Sequence, residues 1–280
     1  MIIRAFGPQK RMFPTIGQGT WNIAESGKAR QEAKLALRRG IEMGMAHIDT
    51  AEMYGRAEEV IAEAIAGLPR ERLFIVSKVL PSNASYKGTI KACETSLRRL
   101  QTDYLDCYLL HWRGSKPLEE TMQALEHLVG EGKIRSLGVS NFDLDDLTEA
   151  KQFLKKEPIT CNQVVYNLGM RGIERRLLPY CKQEGISVVG YTPFGTLPSP
   201  GAHQSKQMEG IAQKYKASIR QIILAFLTRD ENVFAIPKSQ MVSHTEENAK
   251  AGDLELDQED ILVIDTLYPA PTKDTPLAML

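Results

Sequence analysis

Apolar residues along this chain follow two periodicities in turn, and that alternation predicts the fold. Short segments that are mostly apolar, such as residues 74–78 and 105–111, are typical of strands buried on both faces. Between them lie segments with apolar residues at helical spacing, such as residues 87–100 and 118–130. Strands that alternate with helices in this way indicate a parallel sheet.

Eight strand–helix units follow an N-terminal hairpin, which is predicted from residues 2–6 and 10–13 around Gly7-Pro8. The predicted strands cover residues 16–20, 45–49, 74–78, 105–111, 134–140, 161–165, 186–191 and 233–237. The predicted helices cover residues 28–43, 57–66, 87–100, 118–130, 144–155, 174–183, parts of 205–229, a short segment after Ser243, and 258–267 before a proline-rich tail. Eight such units predict an α/β protein with a (β/α)8 TIM barrel, an N-terminal β-hairpin, and a short C-terminal helix and tail.

Composition narrows the class of protein. Charged residues make up 25% and hydrophobic residues 42% of the 280 positions, which is ordinary for a globular protein with a large core. No linker or charge block divides the chain, so we expect one domain over residues 1–280. The 35 Lys and Arg balance the 35 Asp and Glu. This balance gives no global field for binding nucleic acid or an anionic membrane.

The four cysteines, Cys93, Cys107, Cys161 and Cys181, show neither paired spacing nor a CxxC motif. We therefore expect reduced thiols and a cytoplasmic protein. No N-terminal segment looks like a signal peptide, and no apolar run approaches the roughly 20 residues that a membrane span needs. The five histidines are scattered, with none at metal-ligand spacing, and we predict no metal site.

Polar residues close three of the apolar strands. Asp49 ends the strand at 45–49, Lys78 ends the next one, and His111 ends the strand at 105–111. Tyr54 follows Asp49 by five residues, where the chain is leaving its strand. Because the carboxyl ends of barrel strands open onto one face, we expect Asp49, Tyr54, Lys78 and His111 to form one site.

Around these residues the chain resembles the aldo-keto reductase family over nearly its whole length. The matching motifs occur in the family's order: Gly17-Gln18-Gly19-Thr20-Trp21, the segment 49–54, Ser77-Lys78, Leu109-Leu110-His111-Trp112, Gly138-Val139-Ser140-Asn141, Asn162-Gln163, Tyr191-Thr192-Pro193 and Ile236-Pro237-Lys238-Ser239. The resemblance implies that the hairpin plugs the bottom of the barrel. It also implies a reductase of aldehydes or ketones.

Tyr54 is the predicted general acid. Reduction of a carbonyl leaves a developing alkoxide that needs a proton, and a phenol with its ordinary pKa near 10 is a weak donor at neutral pH. We expect Lys78 to lower that pKa, and Asp49 to hold Lys78 charged and oriented. His111 is predicted to orient the substrate carbonyl. Taken one at a time, Asp49 could instead cap a helix, Tyr54 could be a surface aromatic, and Lys78 could be a charge at a strand edge. His111 could be a structural residue.

None of these side chains can carry hydride, so the reaction requires a nicotinamide cofactor. Gly17-Gln18-Gly19 is not a dinucleotide fingerprint, because no third glycine opens a helix behind it. The resemblance assigns Ser140, Asn141 and Gln163 to the carboxamide of the nicotinamide and Tyr191 to stacking on its ring. The remaining residues that it assigns to the cofactor are Gly19, Thr20, Trp21, Asp49, Thr192, Pro193, Phe194, Gly195, Ile236, Pro237, Lys238, Ser239, His244, Glu247 and Asn248.

His244 departs from the family pattern, in which an arginine usually grips the 2'-phosphate at this position. An arginine is always charged and often bidentate, whereas a histidine is neither at neutral pH. Lys238 and Ser239 still favour NADPH, with NADH as the alternative cofactor.

The predicted substrate pocket contains Trp21, Tyr54, His111 and Trp112. Short loops at residues 82–86 and 195–203, and the tail from Tyr268, predict an open site. Here the chain looks most like bacterial reductases of small aldehydes such as methylglyoxal, so we expect a small carbonyl substrate and a monomer. Two alternatives stay open: a Schiff-base aldolase that uses Lys78, and a non-catalytic subunit that senses the cofactor.

Overall fold

A computed structural model describes residues 1–195 and 202–280, with the side chains of residues 202 and 203 left aside. The strands are β1 Ile3–Phe6, β2 Arg11–Pro14, β3 Gln18–Gly19, β4 His47–Asp49, β5 Phe74–Val79, β6 Cys107–Leu110, β7 Leu137–Ser140, β8 Ile159–Val165, β9 Ser187–Tyr191 and β10 Val233–Ala235. The helices are α1 Gly27–Glu42, α2 Ala57–Ile65, α3 Tyr86–Leu100, α4 Leu118–Gly130, α5 Leu144–Gln152, α6 Leu177–Gln183, α7 Ala202–Lys214, α8 Ile219–Leu227, α9 Val242–Ala251 and α10 Gln258–Leu267.

Strands β3 to β10 form one parallel sheet in the order of the sequence. The sheet closes on itself, because Ile16 bridges Ala235 and Gly19 bridges Lys238 across its two edges. The Gly17 N–H donates to the Ala235 carbonyl oxygen over 2.8 Å at the same seam. The predicted (β/α)8 barrel is confirmed.

Helix α3 shows how the sequence determines an element. Ser85 caps its start by accepting a hydrogen bond from the Gly88 N–H at 3.2 Å. Residues three or four positions apart, such as Cys93 and Leu97, are buried against the barrel. Gln101, with a left-handed φ of 53°, ends the helix.

Some predicted boundaries were wrong. The helix predicted at 174–183 begins only at Leu177, after a 3-10 turn at Gly172–Glu174. Pro179 explains the late start, because proline has no N–H to donate and is tolerated only in the first turn of a helix. The predicted strands at 16–20 and 105–111 are shorter, covering Gln18–Gly19 and Cys107–Leu110. Most of the loop predicted at 195–203 lies outside the described residues.

The N-terminal hairpin packs against the amino-terminal end of the barrel. Phe6 lies edge-on to three rings, with centroid distances of 5.3 Å to Phe74, 4.9 Å to Phe234 and 5.6 Å to Phe13. Such aromatic contacts stabilise beyond the area that they bury. The hairpin therefore closes the barrel end opposite the face onto which the strands open, as predicted.

We expect Phe6→Ala to lower the free energy of unfolding by about 3–5 kcal/mol, the range for truncating a buried phenylalanine. Phe6 is 2% exposed, so the truncation leaves a cavity in the plug. Urea unfolding would measure the loss, with Met12→Ala as the control, because Met12 on the same hairpin is 62% exposed. An equal loss in both variants would show that the aromatic contacts of the plug contribute little.

All four cysteines are buried free thiols. Cys107 and Cys161 lie in the buried strands β6 and β8. Among the described helices, none is both long and apolar enough to cross a membrane.

Candidate active site

Asp49 and Lys78 form a buried ion pair at the carboxyl ends of β4 and β5. The Lys78 Nζ lies 2.7 Å from the Asp49 Oδ1 and donates a second hydrogen bond, of 2.8 Å, to the Thr50 carbonyl oxygen. Lys78 is 0% and Asp49 2% exposed. Adjacent parallel strands bring the two together, since Asp49 is the last residue of β4 and Lys78 is the second-to-last residue of β5.

Tyr54 and His111 face the same point from two loops. The Lys78 Nζ lies 5.0 Å from the centroid of the Tyr54 ring. The Tyr54 hydroxyl lies 3.4 Å from the His111 Nε2, and the two rings meet edge-on. The structure thus brings together the four residues that were predicted to form one site.

Two opposing effects act on the pKa of Tyr54. Burial raises this pKa above its ordinary value, and the nearby Lys78 lowers it by a smaller amount. The predicted effect of Lys78 is present, but the pKa is raised on balance, because desolvation of the phenolate outweighs its attraction to the cation. Burial also lowers the pKa of Lys78, but Asp49 and Tyr54 outweigh this effect and raise it, so that the amine stays protonated.

His111 is a neutral imidazole in this environment. Burial, and to a smaller extent the charge of Lys78, lower its pKa to about 3. Its Nδ1 is buried and has no hydrogen-bond partner among the described residues. The Nε2 beside the Tyr54 hydroxyl is therefore the nitrogen available for a ligand. Trp112 packs against the His111 ring at 4.8 Å, and Trp21 stacks on Tyr54 at 6.5 Å.

The residues assigned to the nicotinamide lie beside this group. The Gln163 Nε2 donates to the Asp49 Oδ2 over 2.7 Å, and the Ser140 Oγ donates to the Gln163 carbonyl oxygen over 2.9 Å. The Tyr191 hydroxyl donates to the Asn141 Oδ1 over 2.8 Å. The Asn141 Nδ2 in turn donates to the His111 carbonyl oxygen over 3.1 Å. One hydrogen-bonded chain therefore joins β7, β8 and β9 to the tetrad.

The segment after β9 has a constrained backbone. Thr192 has a φ of 51° and Gly195 one of 57°, both in the left-handed region. A Cβ on Gly195 would lie 2.9 Å from the Asn167 side chain, so only glycine fits. The Arg220 guanidinium lies 5.3 Å from the Phe194 ring centroid. No motif in the sequence pointed to a cation beside the segment 192–195, because Arg220 belongs to α8, far from any recognised motif.

Four of the remaining residues assigned to the cofactor, 236–239, lie between β10 and α9. Ile236 and Pro237 are buried directly after β10. The Lys238 Nζ lies 3.3 Å from the Gln240 Oε1, and within the described ranges no carboxylate forms an ion pair with it. No side chain caps the start of α9, which leaves its first N–H groups available to an anion.

His244, Glu247 and Asn248 occupy successive turns of α9, at a spacing that brings them onto one face. His244 is exposed and Asn248 is buried. The Glu247 carboxylate accepts a hydrogen bond from the Ser218 hydroxyl.

β3 ends at Gly19, and Thr20 and Trp21 follow it on the face of the barrel where the strands end. A Cβ on Gly19 would lie 2.8 Å from the Ile236 carbonyl oxygen, so the close seam requires glycine. The Thr20 Oγ1 donates to the Asp49 carbonyl oxygen over 2.8 Å. Trp21 stacks on Tyr54 and is 47% exposed, so the site opens to solvent on this side.

A cavity of about 560 Å³ lies between the start of α5, the segment 168–177 and the tail. It is separate from the tetrad, because none of the four tetrad residues lines it. No group of three or more His, Cys, Asp or Glu side chains among the described residues is arranged to hold a metal ion. The candidate site is therefore the rim around Tyr54.

Residues 15–269 match the Aldo/keto reductase family. The chain is 46% identical over 272 residues to the methylglyoxal reductase YeaE of Escherichia coli, which covers 95% of each protein. It is 37% identical over 255 residues to the glyoxal reductase of Bacillus subtilis, covering 91% of this chain and 88% of that protein. A crystal structure of an aldo-keto reductase from Klebsiella pneumoniae in complex with NADPH has a TM-score of 0.93 at 44% identity, with both chains covered completely. A second Klebsiella pneumoniae structure, in complex with NADP and acetate, has a TM-score of 0.91 at 44% identity over 99% of each chain.

Proposed function

This chain belongs to the aldo/keto reductase family, and we propose that it reduces small reactive aldehydes, with methylglyoxal as the first candidate. It is an oxidoreductase that acts on carbonyl groups with NADPH as its cofactor. One observation carries the proposal for the site: the Tyr54 hydroxyl and the His111 Nε2, 3.4 Å apart, can both reach a single carbonyl oxygen beside a buried lysine.

The residues around the rim fit a nicotinamide cofactor. Ser140, Asn141 and Gln163 present hydroxyl and amide groups that can both donate and accept, which suits a carboxamide, and Tyr191 offers a flat ring for stacking. At the far end, Lys238 and the uncapped start of α9 suit a phosphate. When bound, the reduced nicotinamide supplies the hydride that none of these side chains can carry.

Each member of the tetrad then has a separate task. Neutral His111, with its proton on Nε2, would donate a hydrogen bond to the carbonyl oxygen and fix its orientation. Tyr54 would transfer its proton to the oxygen as negative charge develops there, and Lys78 would stabilise the phenolate that remains. Asp49 keeps Lys78 protonated and aimed at Tyr54 through the 2.7 Å contact.

The contacts of Lys78 speak against a Schiff-base aldolase. Its amine is fully buried, its pKa is raised, and it donates to both Asp49 and Thr50. A Schiff base requires a neutral, accessible amine. The relatives that match over nearly the full chain are named as reductases, which argues against a non-catalytic cofactor sensor.

A small aldehyde is favoured by two observations. The relatives named above are a methylglyoxal reductase and a glyoxal reductase. Trp21, which stacks on Tyr54, is 47% exposed, so this side of the site is open to solvent. We expect glyoxals to be reduced with higher kcat/KM than keto-sugars or aromatic ketones. Loss of the absorbance of reduced nicotinamide, measured for each class with NADPH and NADH, would test this, and equal rates for all classes would contradict it.

We also infer that the enzyme acts as a monomer in the cytoplasm. The four buried free thiols suit a reducing compartment. Sedimentation of the purified protein would test the oligomeric state.

His244 makes a prediction about cofactor affinity. We expect His244→Arg to strengthen NADPH binding by about 1–3 kcal/mol, the range for hydrogen bonds to charged groups, because an arginine is always charged and can hold the 2'-phosphate with two donors. Titration of cofactor fluorescence in the wild type and the variant would measure the gain.

Two controls isolate that effect. Binding of NADH, which lacks the 2'-phosphate, should change little with the substitution. His127→Arg on α4 should leave NADPH binding unchanged, because His127 pairs with Glu131 on its own helix. Equal NADPH affinity in the wild type and in His244→Arg would mean that His244 does not face the phosphate.

A further inference from the structure

Glu58 is a buried carboxylate that the proposed reaction does not use. It lies in the first turn of α2 and is 1% exposed. The Ser77 hydroxyl, itself fully buried, donates to the Glu58 Oε1 over 2.7 Å. Ser77 directly precedes Lys78 in β5, and its side chain leaves the opposite face of the strand. Glu58 therefore holds α2 against the strand at the position next to the buried lysine.

Glu52, which precedes α2, makes a second link to the chain around Lys78. Its Oε1 accepts the Leu80 N–H over 2.6 Å, and the Asn83 Nδ2 lies 3.1 Å from each of its carboxylate oxygens. The Glu52 N–H donates to the Lys78 carbonyl oxygen over 3.3 Å. Glu52 therefore fixes the loop to the strand just beyond Lys78.

Arg99 of α3 joins the two acidic residues. Its Nη1 lies 3.3 Å from the Glu58 Oε2 and 3.4 Å from the Glu52 carbonyl oxygen. The segment between the two glutamates carries Tyr54, whose carbonyl oxygen accepts the Ala57 N–H over 2.9 Å. Tyr54 is thus held by contacts on both sides, two residues before it and four residues after it.

We propose that Glu52 and Glu58 form a carboxylate clamp that positions the phenol of Tyr54 against the amine of Lys78. The clamp holds the segment 52–58 against Ser77 of β5 and against Leu80 directly after β5, on either side of Lys78 in the sequence. Both glutamates are positioning residues, because neither touches the carbonyl oxygen that Tyr54 and His111 face. The proposal rests on the proposed function, since it concerns the geometry of that same tetrad.

The clamp matters because proton transfer depends on small distances. A displacement of about 1 Å in a reacting group can cost about 100-fold in rate. The loop that carries Tyr54 contains Gly55, with a φ of 52°, and exposed Met53, so it has few buried contacts of its own. Without the carboxylates, the loop could move away from β5 while the barrel stays intact.

Ser77→Ala gives the cleanest test, because it removes one link of the clamp without changing any charge. We expect kcat to fall about 3- to 10-fold and the affinity for NADPH to change less than twofold, since a loosened Tyr54 affects only the chemical step. Glu58→Ala should lower kcat about 10- to 100-fold. The double variant should resemble Glu58→Ala, because both changes break the same contact.

Two further measurements separate positioning from general destabilisation. In a Tyr54→Phe background, Ser77→Ala should lower kcat no further, because the clamp acts through Tyr54. Phenolate absorbance, taken as the difference from Tyr54→Phe, should show Tyr54 of Ser77→Ala losing its proton at lower pH than in the wild type, because a loosened loop relieves the burial that raises its pKa, and burial has a larger effect on that pKa than Lys78. The matched control is Glu63→Gln, on the same helix, where Glu63 pairs with Arg30 and Lys34 of α1. It should change none of these quantities.

The outcomes are distinct. A folded Ser77→Ala or Glu58→Ala that keeps wild-type kcat and the wild-type titration of Tyr54 would overturn the clamp, as would a loss of kcat that Glu63→Gln matches. Failure of the wild type to oxidise NADPH with any aldehyde would overturn the proposed function instead. Even then, the phenolate titration tests the clamp, because it requires no turnover.

Discussion

Tyr54→Phe is expected to lower kcat about 10²- to 10⁴-fold, the usual contribution of a general acid, with NADPH affinity nearly unchanged. The substitution removes only the hydroxyl, which lies 3.4 Å from the His111 Nε2 and faces the substrate side of the rim. The ring can keep its packing against Trp21 and its position above Lys78. The fold should therefore survive, and the loss should appear in the chemical step.

Single-turnover oxidation of NADPH with an aldehyde would measure the step directly. Tyr108→Phe is a matched control, because Tyr108 is a fully buried tyrosine in β6. Its ring packs in the hydrophobic core between the strands and the surrounding helices. It should keep wild-type kcat. A Tyr54→Phe variant with more than about a tenth of the wild-type rate would exclude Tyr54 as the general acid.

The same residue makes a prediction about pH. Because burial raises the pKa of Tyr54, the phenol stays protonated throughout the neutral range. Reduction requires the protonated form, so kcat for reduction should be level near neutral pH and fall only on the alkaline side, as Tyr54 loses its proton. His111, with a pKa of about 3, should add no change between pH 5 and 8. A histidine-like transition in kcat within that range would contradict this assignment.

The fold and the tetrad could be predicted because both follow from local patterns. Apolar runs and helical spacing locate the eight units, and a parallel barrel brings the residues at strand ends to one face. Asp49, Lys78 and His111 each end such a run, so their meeting required no knowledge of loop structure. Tyr54 was harder to place on physical grounds alone, because it lies in a loop and only the family motif points to it.

Depth of burial could not be predicted in the same way. The sign of the Tyr54 pKa shift depends on how completely the surrounding loops exclude water, and that is a property of tertiary packing. The clamp was missed for a related reason. Glu52 and Glu58 look like ordinary helix-forming or surface acids in the sequence, and only the structure shows one of them buried against Ser77.

The second large effect concerns Asp49 and Lys78, for which we expect activity and stability to respond differently. Lys78→Met should lower kcat about 100-fold or more, because the Tyr54 phenolate loses its neighbouring cation. It should also lower the free energy of unfolding by about 3–5 kcal/mol, since Asp49 would be left as a buried carboxylate. The Gln163 amide, 2.7 Å from the Asp49 Oδ2, would be its remaining side-chain donor among the described residues.

Adding Asp49→Asn to Lys78→Met should separate the two effects. The second substitution removes the uncompensated charge, so the double variant should recover part of the lost stability. Its kcat should fall little further, because Asp49 acts on the reaction through Lys78, and groups that act as a unit are strongly non-additive. Urea unfolding and single-turnover rates on the wild type, both single variants and the double variant complete the cycle. If the two losses in kcat multiply, or the double variant is less stable than Lys78→Met, then Asp49 and Lys78 act independently, and the buried pair is not the unit that supports Tyr54.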